Sequence, residues 1–170
     1  NGHNQTVGQL KTYDVGSVLI LCSPTPAKLT VEQTASTMFH ASITGAVTLV
    51  KSGSGALTLT RACATSGDFV VSNGTLAVSA DGALGVNSTN IVVAGGTLSL
   101  SNSSAVSDSA TLVIADGGGA KVDLAAGVNE SVGWLYFGGR PQHAGTYSAA
   151  AGGGVLKVDT EHFAGTGILT

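Results

Sequence analysis

"GALTLTRACATSGDFVVSNGTLAVSADGALG", residues 55–85, decides the fold. Twice in it a Gly or Asn-Gly is followed by a short alternating run, "GALTLT" (55–60) and then "NGTLAVS" (73–79). The same small strand restarts after very few residues. Similar runs extend to both ends: "KLTVEQ" (28–33), "AVTLVK" (46–51), "GTLSLS" (96–101), "ATLVIA" (110–115), "AKVDLA" (120–125) and "GILT" (167–170). Each places Leu, Val or Ile on one side and mostly Thr, Ser or Ala on the other, the period-two pattern of a strand with one buried face. Gly, Asn, Asp or Ser separates them, as turns require. No window of a dozen residues keeps an apolar stripe at i, i+3, i+4, i+7, so the chain reads as all-β.

Two architectures use such strands: an antiparallel sandwich or barrel, and a solenoid of stacked coils. A sandwich core usually needs large residues, yet aromatics make up only 5% of this chain. In a solenoid each coil lies about 4.8 Å from the next, the spacing of paired strands. Ladders of Leu, Val, Ala and Thr then fill a narrow core without large rings. Gly and Asn take the corners, where φ is often positive. The repeat is degenerate, because the copies fall at irregular intervals. The expected fold is a right-handed parallel β-helix, a single solenoid domain over residues 1–170, with 132–170 as a C-terminal capping segment.

Composition excludes several function classes. Charged residues are 10% of the chain, against about a quarter in ordinary domains, and the net charge is −3. Seven scattered Lys and Arg cannot make a phosphate-binding face or adhere to an anionic membrane. The longest strongly apolar run, "VLIL" (18–21), is far short of a spanning helix. Recurring Val, Leu and Ile disfavour disorder. Asn1 is preceded by no signal-like segment, so it reads as a mature terminus or a boundary within a longer chain. The two cysteines, Cys22 and Cys63, are compatible with one disulfide or with two buried thiols acting as small apolar residues.

The stretches "NGHNQTVGQL" (1–10), "GAVTLVKSGSGALTLT" (45–60), "NGTLAVSADGALG" (73–85) and "GGTLSLS" (95–101) resemble the autotransporter-associated β-strand repeats of bacterial surface and secreted passenger proteins. Lys51, Gly53, Gly55, Leu57 and Leu59 stand where that pattern has Lys, Gly-x-Gly and an alternating Leu-Thr-Leu strand. Residues 132–170 are similar to the segment that closes many such regions, with Gly-x5-Gly-Thr-Tyr at Gly139–Tyr147 and Phe-x-Gly-x-Gly at Phe163–Gly167. The likeness is least clear over 22–42, and "RACATSGDF" (61–69) departs from the polar turn common in the family. The resemblance implies an exported, extracellular β-helical scaffold without catalytic residues.

Candidate sites are few. In "WLYF" (134–137) alternation puts Trp134 and Tyr136 on one face and Leu135 and Phe137 on the other. An outward Trp134–Tyr136 pair suits a sugar ring or a protein partner, whereas large aromatics near a solenoid end also serve to cover the last coil. "VDTEHF" (158–163) places Asp159, Glu161 and His162 close together, with His143 nearby in sequence. Alternation would aim both carboxylates the same way, as a metal site or acid–base pair needs; a solvated turn is the simpler reading. Lys121 and Asp123 share a face, but a lyase or hydrolase needs several converging carboxylates. "DGGGAK" (116–121) lacks the ending of a phosphate loop and reads as a corner. Asn4, Asn73, Asn87, Asn102 and Asn129 begin Asn-x-Ser/Thr sequons, which are corner residues in a bacterial protein and glycan sites in a eukaryotic one.

The sequence thus leads to a non-catalytic extracellular stalk or adhesin passenger segment, with no metal and no cofactor. Its partners would be a host or matrix glycan or further copies of itself, not nucleic acid. A filament subunit joined head to tail through open solenoid ends is one alternative, because "AGTGILT" (164–170) reads as an unguarded strand. A glycan-binding module is the other.

Overall fold

The structure is a computed structural model and describes residues 2–12, 18–20, 25–84 and 90–170. Its strands stack in parallel, about 21 residues per turn over about six turns, as a right-handed parallel β-solenoid. One sheet runs through Gln5–Val7, Ala27–Glu32, Val47–Ser52, Phe69–Val71, Asn90–Val93, Thr111–Ile114 and Trp134–Phe137. A second runs through Thr37–Phe39, Ala56–Leu59, Thr75–Val78, Thr97–Leu100, Lys121–Leu124 and Phe163–Gly165. A third side begins with Val18–Ile20, Ser42–Gly45 and Ala64–Thr65. It continues as irregular chain, with Gly82 N donating to Ser104 O and Leu84 N to Ala105 O.

The in-register pairing turns the alternation of each strand into ladders. Leu29, Leu49, Phe69, Ile91, Leu112 and Leu135 stack inside the first sheet. Leu57, Leu76, Leu98, Val122 and Phe163 stack inside the second. All eleven are buried. Because each side chain lies directly over an apolar neighbour, mostly branched aliphatic residues with a few Phe rings close the space between the sheets.

Two polar residues interrupt this core at the corner between the first and second sheets. Lys51 occupies a ladder position between Val31 and Val71 and is fully buried. Its ammonium donates to the carbonyls of Ser52 (2.7 Å), Gly53 (2.9 Å) and Asn73 (3.3 Å). One coil earlier Gln33, also fully buried, donates to Ala35 O and Ala56 O. Both side chains bring extra donors to the carbonyls of this corner. Burial pushes the Lys51 ammonium below its ordinary pKa.

The regular coils end at Trp134–Phe137. The chain there turns back, and Arg140–Pro141 pairs antiparallel with it. Residues 147–169 then cross the end of the stack. Phe163–Gly165 joins the second sheet, and Ile168–Leu169 lies between Asn129–Glu130 and Tyr147–Ser148. The terminal "GILT" therefore does not present the open edge its alternation suggests, since both neighbouring positions are taken within its sheet. Phe137 makes edge contacts with Tyr147 and Phe163, ring centroids 6.0 Å apart in each case.

Candidate functional site

The outward row of the first sheet carries Asn90, Thr111 and Trp134 in register. Leu135 and Phe137 point inward and are buried, while Trp134 faces out and is 63% exposed. Tyr136 shares its face and is half-buried. Phe137, Tyr147 and Phe163, the other aromatics around the stack end, are buried. Trp134 alone among them leaves its large ring in water.

A cleft of about 330 Å³ opens beside the indole. Val132–Leu135, Gln142–Gly145, Tyr147, Leu169 and Thr170 line it. Tyr136 is not part of the lining. Gln142 and His143 share the lining with Trp134 instead, which alternation within one strand could not have revealed. The 142–145 segment is held beside the Trp134–Phe137 strand: the Tyr147 hydroxyl donates to His143 O (2.6 Å), and Gln142 N donates to Leu135 O (2.8 Å). The Gln142 amide donates to Arg140 O and accepts from Lys157 Nζ. The imidazole of His143 is exposed and has no hydrogen-bond partner among the described residues.

The acidic candidates take the simpler of the two expected arrangements, a turn in place of a shared strand face. Residues 160–162 form a turn, so Asp159 and Glu161 do not share a strand face. Asp159 accepts from the backbone N–H groups of Glu161 (3.0 Å) and His162 (2.9 Å), while the Glu161 side chain is exposed. His162 is buried, with Nδ1 3.1 Å from Asp159 and Nε2 3.2 Å from Asp116. Its ring stacks on Phe137, centroids 3.9 Å apart, and Arg140 pairs with Asp116 at 2.8 Å. Desolvation pushes the Asp159 carboxyl up, but the hydrogen bonds and positive charge of His162 outweigh it and hold it below its ordinary value. The cluster fastens the closing segment to the 116–119 turn. No group of three or more His, Cys, Asp or Glu among the described residues could hold a metal ion.

Lys121 and Asp123 do lie on one outward face, where Lys121 donates to Thr160 O at 2.6 Å. "DGGGAK" is a turn, closed by Ala120 N donating to Gly117 O. The sequon residues Asn4, Asn73 and Asn102 accept from the backbone N–H groups of Lys28, Gly74 and Ser104; Asn129 accepts from the Thr170 hydroxyl. Asn87 lies outside the described residues, as does Cys22, and with it the proposed bridge to Cys63. Cys63 is buried, which pushes its thiol pKa up.

Sequence reasoning missed Glu130. Its carboxyl is fully buried, with Oε2 accepting from Ala105 N at 2.9 Å and Oε1 without a partner. Desolvation raises its pKa to about 7, against the backbone hydrogen bonds that favour the anion. Neighbouring Asn129 is exposed, so one charged residue in a two-residue strand gave no alternating run from which to read its inward position.

Comparison with protein-family models, with curated proteins and with solved structures finds no match to this chain. The fold places it with β-helical repeat proteins as a broad class.

Proposed function

We propose that this chain is a non-catalytic structural scaffold, an exported stalk or passenger segment of a bacterial surface protein. The observation that carries this reading is the use made of its ionisable groups. Lys51 and Lys121 bind backbone carbonyls, and Arg140, Asp116, His162 and Asp159 bind one another across the stack end. Those groups hold chain to chain, and the cleft has no Lys, Arg, Asp or Glu in its lining. The likeness of the Lys51–Leu59 motif and of residues 132–170 to passenger repeats supports the extracellular assignment. Residues 140–169 act as the closing segment, covering the last coil with buried aromatic rings.

An antibody against this chain tests the location. It should label intact source cells, and labelling only after permeabilisation would overturn the assignment. Incubation with a panel of polysaccharides tests the rest, because any enzymatic turnover that survives purification contradicts a scaffold.

A further inference from the structure

The cleft beside Trp134 points beyond the scaffold reading, without depending on it. An indole left mostly in water costs hydrophobic free energy that burial would recover, and the neighbouring rings of Phe137, Tyr147 and Phe163 are all buried. Trp134 instead lines a concave space together with His143 and Gln142. At about 330 Å³ the space lies at the small end of ligand sites, room for one ring and not for an extended chain. Its lining offers an aromatic face, an imidazole without a partner, and a side-chain amide and a hydroxyl, at Gln142 and Thr170, that retain hydrogen-bonding capacity.

An aromatic face beside hydrogen-bonding side chains matches the two sides of a pyranose: its C–H face and its rim of hydroxyls. With no Lys, Arg, Asp or Glu in the lining, a carboxylated or phosphorylated sugar would find no counter-ion there. Lys157 is engaged with the Gln142 amide and lies over the rings of Phe137 and Tyr147. We propose that this cleft is a subsite for one neutral pyranose ring of a glycan, stacked on Trp134 and hydrogen-bonded by His143 and Gln142. Tyr147 is a positioning residue, because its hydroxyl holds the His143 backbone in place.

Trp134 is the chain's single tryptophan, so its fluorescence reads the cleft directly. The protein is titrated with the methyl glycosides of glucose, galactose, mannose and N-acetylglucosamine, and with methyl glucuronide and a sialoside for comparison. A saturable change with at least one neutral glycoside is expected, with the charged sugars weaker. His143→Ala should weaken that binding about tenfold, the scale of one lost hydrogen bond. Trp134→Ala, followed by calorimetry, should remove it while leaving the far-ultraviolet circular dichroism unchanged, since an exposed ring contributes little to folding. No saturable change with any neutral glycoside overturns the proposal. So does a preference for the charged sugars, or binding that both variants retain.

Discussion

At the scale of single residues, two of the buried ionisable groups, Glu130 and Lys51, differ in how far their polar atoms are satisfied. Glu130 is most comfortable neutral. Its ordinary pKa is 4.5 and its folded value about 7. Between those values the folded chain holds a proton that the unfolded chain has released, so stability falls as pH rises through this window and levels off above it. The fall totals about 3 kcal/mol at 1.36 kcal/mol per pH unit. Glu130→Gln should flatten that part of the profile and cross the wild-type curve, less stable at pH 5 and at least as stable at pH 8. Urea denaturation at both pH values measures it; parallel curves would show that Glu130 ionises as freely folded as unfolded. At Lys51 the buried polar head is fully engaged, donating to three carbonyls. Lys51→Met keeps the apolar stem but leaves the Ser52, Gly53 and Asn73 carbonyls without that donor, and should cost about 2 kcal/mol or more in the same assay.

At the scale of elements, corners and the closing turn decide whether strands can stack. Gly74 has φ +67°, and a methyl group there would collide with the carbonyls of Gly53 and Gly55 one coil below. Gly119 has a similar φ, +73°, with open space around it. Gly119→Ala should therefore cost only the left-handed penalty of about 1–2 kcal/mol, and Gly74→Ala clearly more, because backbone one coil away cannot yield cheaply. Equal losses in thermal or chemical denaturation would mean the coils are not in tight register at that corner. The closing segment invites a similar pairwise comparison. His162→Ala empties a buried site against Phe137 and leaves two carboxylates facing one another, for an expected loss of about 2–4 kcal/mol. Arg140 touches the same Asp116 from solvent with its side chain 73% exposed, so Arg140→Ala should cost under about 1 kcal/mol.

The whole molecule is asymmetric at its two ends. At one end of the first sheet Gln5–Val7 is paired on one side only. At the other the sheet finishes in Arg140–Pro141, a two-residue antiparallel strand in which Pro has no N–H to offer and Arg is charged. Short strands of this kind are how sheets discourage further pairing. Head-to-tail stacking needs open edges at both ends, and in the first sheet this arrangement guards one of them. Sedimentation at rising concentration should give a single species near the 16.7 kDa chain mass. Fibres in the electron microscope would instead favour the filament reading and show that the Arg140–Pro141 strand can be displaced.

Much of this was legible in the sequence. Period-two alternation and corner glycines are short-range signals, acting over two to six residues, so they determined the strands, their buried faces and, with few large rings available, a stack of coils in place of a sandwich. They also sorted Trp134 and Tyr136 from Leu135 and Phe137. At Asp159 and Glu161 alternation gives no shared face, because a turn breaks the period there, in keeping with the simpler reading of that stretch. Only the tertiary structure decided what meets across coils. It brought His162 to Asp116, 46 residues earlier, threaded Ile168–Leu169 between two strands, and put His143 rather than Tyr136 in the cleft lining with Trp134. The physical reason is that contacts between coils depend on the length of every intervening loop and on the path of the closing segment, and neither is written in the local pattern of apolar and polar residues.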